Sequence, residues 1–284
     1  MPAGVFRRLQ DRPPRLRQPR EHRLEGRLVR GALEIHAEID AGRRRFRDVR
    51  LEMVYGSAVH DSPCVDVSPA NSIHHRILRL IQYYDTTDPS GGAAAFLTAD
   101  KSELNYSKIA FGGWSQGGGH AGLIARDHLV ARTVYASQGA GQVYCEALHP
   151  SATQLCDLDG DGMLTAGNED ELLTAPPWTL QPRVTPGTRQ FGAVHRGEKA
   201  WAFAPEAFEN FGMGKKGTEV DIDAVGADYA AYGCKHIFST NAPPACEATK
   251  LHESMAIDVC MAKDASGLPI LAPFYYYALK VPVP

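Results

Sequence analysis

Residues 107–123, SKIAFGGWSQGGGHAGL, decide how the rest of this 284-residue chain is read. Ile109, Ala110 and Phe111 form the short apolar run of a buried strand. Gly113-Trp114-Ser115-Gln116-Gly117 then fits G-x-S-x-G, a pattern in which a sharp strand-to-helix turn lifts a serine hydroxyl clear of the backbone. Gly117, Gly118 and Gly119 remove side chains where the following helix is expected to cross the strand closely. Ser115 is therefore the candidate nucleophile. Gln116 opens the helix, so its backbone N–H is the candidate donor to an oxyanion forming beside that serine.

Working outward, strands and helices alternate. Residues 33–39, LEIHAEI, alternate apolar and polar as a half-exposed strand does, and residues 49–55 read as a second strand. Asn71 or Ser72 caps a helix whose buried stripe is predicted as Ile73, Ile77, Leu80, Ile81 and Tyr84. Residues 90–92, SGG, break the chain before the serine strand. Residues 132–137 (RTVYAS), 190–195 (QFGAVH) and 236–239 read as further strands. A helix is expected around 201–211 and a closing helix around 274–279. This order predicts an α/β domain over 31–284 with a mainly parallel sheet flanked by helices. Residues 142–188, with two cysteines, several prolines and an acidic run, read as an insertion.

A serine at such a turn needs a base, and the base needs an acid that orients it. The strand at 190–195 runs into His195-Arg196-Gly197-Glu198, which makes Glu198 the leading acid, with Asp221, Asp223 and Asp228 in reserve. For the base, His252 lies beyond the last strand in Leu251-His252-Glu253-Ser254. His236 competes but falls at a strand start, where a packed histidine is expected; His120 and His195 read as supporting groups. The chain order Ser115, Glu198, His252 is the order nucleophile, acid, base. It points to covalent catalysis on a carboxylic ester or related acyl bond, with a small-molecule ester as substrate and no cofactor in the reaction.

The helix NSIHHRILRLIQYY, the turn GWSQGGGHAGLIA, the strand end GAVHRGE, the segment VDIDAV and the late LHESMAID together resemble a mostly bacterial, uncharacterised branch of the α/β-hydrolases. The resemblance runs from Asn71 to about Leu279. It implies an α/β-hydrolase fold, Ser115 as nucleophile and His252 as base. It supports Glu198 less directly, because such relatives favour aspartate there. It also implies N-terminal strands leading into a Gly-rich loop that supplies a second oxyanion donor. Ala41-Gly42-Arg43-Arg44 stands in that region instead, so the N-terminal strands are atypical or incomplete. An α/β-hydrolase-fold binding protein, catalytically weak or inactive and stabilised by calcium, is the alternative reading.

The first 50 residues hold 14 arginines against 7 acidic residues, a net of +7 within a chain of net −3, so the rest carries −10. An acidic globular part disfavours a nucleic-acid partner. Residues 1–30 carry no aromatic interleaving and read as a disordered basic leader without a signal peptide's apolar core. No apolar run reaches the length of a membrane span. Asp157, Asp159, Asp161, Met163 and Thr165 fall at positions 1, 3, 5, 7 and 9 of an EF-hand-type loop, with Gly162 at the turn. Asn168 replaces the closing glutamate. The alternative to a structural calcium site there is a solvated acidic turn. Cys145/Cys156 and Cys234/Cys246 are the close-spaced candidate disulfides, and with the calcium-type loop they suggest an extracytoplasmic setting. Trp114, Trp178 and Tyr144 are candidate aromatic pocket walls.

Overall fold

The structure, a computed structural model, describes residues 46–61, 65–137, 175 and 177–283. Five parallel strands form its sheet: β1 (Ala110–Trp114), β2 (Arg132–Ala136), β3 (Gln190–His195), β4 (Val220–Asp221) and β5 (Ile237–Thr240), in the order β1-β2-β3-β5-β4. Six α-helices accompany them among the described residues: α1 (Phe46–Tyr55), α2 (Ile73–Thr87), α3 (Gln116–Asp127), α4 (Ala204–Asn210), α5 (Ile222–Val225) and α6 (Ala272–Lys280). The chain is thus of the α/β class.

Alternation along the strands builds two cores. Phe111, Tyr135, Val194 and Ile237 point to one face, where Leu51 and Val54 of α1, Leu123 and Ile124 of α3, and Phe208 of α4 cover them. Val134, Ala136, Phe191, Ala193 and Phe238 point to the other, against Phe274, Tyr277 and Ala278 of α6 and Met255. All six residues of β3 are buried, as expected for a strand covered on both faces.

Residues 49–55 are helical, not the strand that their alternation suggested. Val49, Arg50, Leu51, Glu52 and Val54 are all buried, so this segment is covered nearly all round. A segment buried on every side loses the polar face that would distinguish a period of 2 from one of 3.6. Gly56, at φ +91°, ends the helix in the left-handed conformation, its N–H donating to Glu52 O.

Ser72, not Asn71, caps α2, its hydroxyl accepting from His75 N at 3.2 Å. The expected stripe is also rotated. Leu78 is buried against Leu97 and Leu104, with Ile77 and Ile81 alongside, whereas Leu80 and Tyr84 are more than half exposed. Among the described residues, Ile73 and Ile77 face the main core and Leu78 faces Leu97 and Leu104, so the covered arc is turned away from Leu80 and Tyr84.

The glycine run acts differently from the simple expectation. A Cβ on Gly113 would overlap the backbone of Gly117, so β1 and α3 touch main chain to main chain. A Cβ on Gly119 would run into the Arg50 guanidinium of α1, whereas one on Gly117 would meet nothing. Gly113→Ala is therefore expected to cost at least about 3 kcal/mol and to leave the chain largely insoluble, by the overpacking such a contact imposes. Gly117→Ala should fold and gain up to about 1 kcal/mol from helix propensity. Urea denaturation of the two variants checks both.

Candidate active site

In a parallel sheet every strand points its C-terminal end the same way, and the loops that follow converge on one rim. On this rim lie Ser115 after β1, Ser137 after β2 and Glu198 after β3. His252 is brought there by the loop after β5.

Ser115 holds φ +54° and ψ −124°, a conformation that side-chain-bearing residues rarely adopt and that costs about 1–3 kcal/mol. Its surroundings enforce it. Ser115 N donates to Ala136 O at 3.1 Å, extending the β1–β2 ladder by one residue, and Ser115 O accepts from Gly118 N at 3.0 Å as the helix begins. Ser115 is thus the N-cap of α3. The N–H of Gln116, the first helical residue, finds no acceptor among the described residues, as expected for the first turn of a helix. The Gln116 side chain turns toward α1, with Nε2 3.5 Å from Met53 Sδ.

Glu198 is buried, and its two oxygens have separate partners. Oε2 lies 2.6 Å from His252 Nδ1. Oε1 accepts from Ser137 Oγ at 2.5 Å and from His195 N at 3.1 Å. A proton on Nδ1 is held by this carboxylate, which leaves the lone pair on Nε2. The His252 side chain is about one-third exposed, so the ring edge opposite Glu198 can reach solvent.

Three contacts hold the His252 loop. Trp114 Nε1 donates to His252 O at 2.9 Å, and the two rings lie 4.9 Å apart. Tyr275 of α6 donates to Met255 O at 2.6 Å. Cys246 and Cys260 form a disulfide that brackets the loop. Trp114 therefore anchors the imidazole, beyond its expected part as a pocket wall. It also borders an apolar cleft of about 280 Å³ lined by Gly112, Gly113, Val134, Ala256, Tyr275 and Leu279.

No hydrogen bond joins Ser115 Oγ to His252 among the described residues. The structure thus brings His252 and Glu198 into contact and places Ser115 beside Trp114 on the same rim. No family model, curated protein or solved structure matches the chain.

The other expected residues have different occupations. Asp221 caps α5 and pairs with Arg196 at 3.4 Å. Asp223 accepts from Thr240 Oγ1 and Asn241 N, and Asp228 accepts from Ala230 N. His236 faces Gln190 O at the opposite end of the sheet. His195 accepts from Gly197 N through Nδ1 and reaches Ala242 O through Nε2, which braces the turn carrying Glu198. Trp178 is plain core beside Phe211.

Cys234 does not pair with Cys246; it is a free, exposed thiol. Cys246 is bonded to Cys260 instead. Cys145, Cys156, Tyr144, the 33–39 strand, residues 41–44 and the loop of Asp157, Asp159, Asp161, Met163 and Thr165 lie outside the described residues.

Sequence reasoning missed Ser137. The only available signal was a hydroxyl at the end of the strand after Ser115, and nothing in sequence says that this end faces an acid 61 residues later.

Two measurements follow from this packing. His120 on α3 is buried beside Arg50, its Nε2 has no partner among the described residues, and burial, then the Arg50 charge, lowers its pKa from 6.5 to about 4. Protonation then favours the unfolded chain. Stability is complete above about pH 6.5 and falls toward pH 4, by at most roughly 3 kcal/mol. His120→Asn should flatten that part of the stability–pH curve. Opening the 14-residue separation of the disulfide by Cys246→Ser should lower unfolding free energy by about 2–3 kcal/mol and admit proteolysis within 247–259.

Proposed function

We propose that this chain is a serine hydrolase of the α/β-hydrolase type that cleaves a carboxylic ester or related acyl bond. The observation that carries the reading is the Glu198–His252 pair at 2.6 Å on the same sheet rim as a serine held at φ +54°. The order of strands and the fold type are consistent with it, but a parallel sheet serves many chemistries, so the argument rests on the site.

In this reading Ser115 Oγ attacks the carbonyl carbon while His252 Nε2 takes its proton. Glu198, through Nδ1, fixes the tautomer and stabilises the imidazolium. The Gln116 N–H faces the developing oxyanion at the positive end of α3. Collapse of the tetrahedral intermediate expels the alcohol, which receives its proton from His252. Water, deprotonated by His252, then releases the acid and restores Ser115. The apolar cleft beside Trp114 suits the hydrocarbon part of an acyl group. The residues named supply every proton transfer, so this scheme needs no cofactor.

The open Ser115–His252 geometry favours the alternative, a fold that binds a ligand without turning it over. Unliganded sites often tighten only around substrate. Incubation with a fluorophosphonate ester and intact-mass readout decides between the two. The serine-hydrolase reading expects a single adduct, absent in Ser115→Ala and slowed about a thousandfold or more in His252→Ala. A folded wild-type chain that gains no adduct would overturn it.

A further inference from the structure

We infer that Ser137 is a positioning residue that sets the direction of the Glu198 carboxylate and, through it, of His252. Its catalytic consequence rests on the serine-hydrolase reading above; its structural part does not. A glutamate at this position has one more rotatable bond than an aspartate, so its carboxylate can swing away from the imidazole unless the second oxygen is tied. Ser137 supplies the tie. Its hydroxyl donates to Glu198 Oε1 at 2.5 Å, within the range of a charge-assisted O–H···O⁻ bond.

The backbone around Ser137 shows how specific this placement is. Ser137 is fully buried directly after β2, and its N–H donates to Ala193 O at 2.8 Å, continuing the β2–β3 ladder. At that point φ turns to +53°, a left-handed value that favours glycine over serine. Glycine would relieve the backbone but leave Glu198 Oε1 with the His195 N–H alone. A serine held in a glycine conformation, with its hydroxyl on a buried carboxylate, is strain retained for an interaction. The two rim serines thus share a backbone feature: Ser115 and Ser137 are both positive-φ residues immediately after neighbouring strands.

Ser137→Gly makes the test, because it removes the hydroxyl while easing the backbone, so the relieved strain offsets part of the lost hydrogen bond and circular dichroism checks that the variant is folded. With ¹⁵N-labelled imidazoles, the wild-type His252 Nδ1 proton should give a downfield resonance from its short bond to Glu198. That resonance should shift upfield or vanish in Ser137→Gly, and also in Ser137→Ala, which keeps the Cβ and loses only the hydroxyl. Fluorophosphonate labelling should slow about tenfold to hundredfold in Ser137→Gly. In a Glu198→Gln background the same change should add less than about twofold, since Ser137 acts through Glu198.

An unchanged His252 resonance in folded Ser137→Gly would overturn the positioning role. So would effects of Ser137→Gly and Glu198→Gln that multiply. A shifted resonance in a wild-type chain that takes no label would instead keep Ser137 as the carboxylate's tie and remove the hydrolase reading alone.

Discussion

The contact between Gly113 and the backbone of Gly117 is the constraint on which the rim depends. With no side chain at Gly113, β1 and α3 pack main chain against main chain. The intervening residue must then reverse direction within a single step. Ser115 absorbs that reversal at φ +54°, and its backbone bonds, to Ala136 O and from Gly118 N and Gly119 N, fasten it to β2 on one side and to α3 on the other. The same geometry leaves the Gln116 N–H without an acceptor among the described residues, so strain and an open donor arise from one close approach.

The acid–base pair is built by a different principle. Glu198 is buried, and a buried carboxylate is tolerable only where hydrogen bonds replace its water. Ser137 Oγ, His195 N and His252 Nδ1 do so, each from a different part of the chain. The His252 loop has little regular structure of its own. It is held instead by Trp114, Tyr275 and the Cys246–Cys260 disulfide, and Trp114 is the residue next to Ser115. The His252 imidazole is therefore anchored to the strand that ends in the nucleophile candidate. An apolar cleft lined by Ala110 to Trp114 follows that strand away from the rim.

Some departures from the sequence reading share a cause: burial on all sides, or on too few, erases the period. The helix at Phe46–Tyr55 was taken for a strand because Arg50 and Glu52 alternate with Val49, Leu51 and Met53, and both polar residues are buried rather than on a solvent face of helical period. The α2 stripe was drawn rotated because, among the described residues, the fold buries Leu78 and leaves Leu80 and Tyr84 more than half exposed. Disulfide choice failed for another reason. Spacings of 12 and 14 residues cost nearly the same loop entropy, so spacing could not choose between Cys234 and Cys260 as the partner of Cys246.

By itself the sequence determined the local elements whose signals are short-range: the 190–195 strand, the Ser72 cap region, the turn at Ser115 and the alternation that makes a parallel α/β sheet. It also singled out Ser115, Glu198 and His252 as candidates, by the G-x-S-x-G turn and the chain order nucleophile, acid, base. Only the tertiary structure decided that Glu198 rather than Asp221, Asp223 or Asp228 meets His252, that Ser137 ties its second oxygen, and that Cys260 closes the loop. Those choices depend on directions of side chains 14 to 61 residues apart. Residue type and spacing carry no such information; the twist of the sheet and the lengths of its loops do.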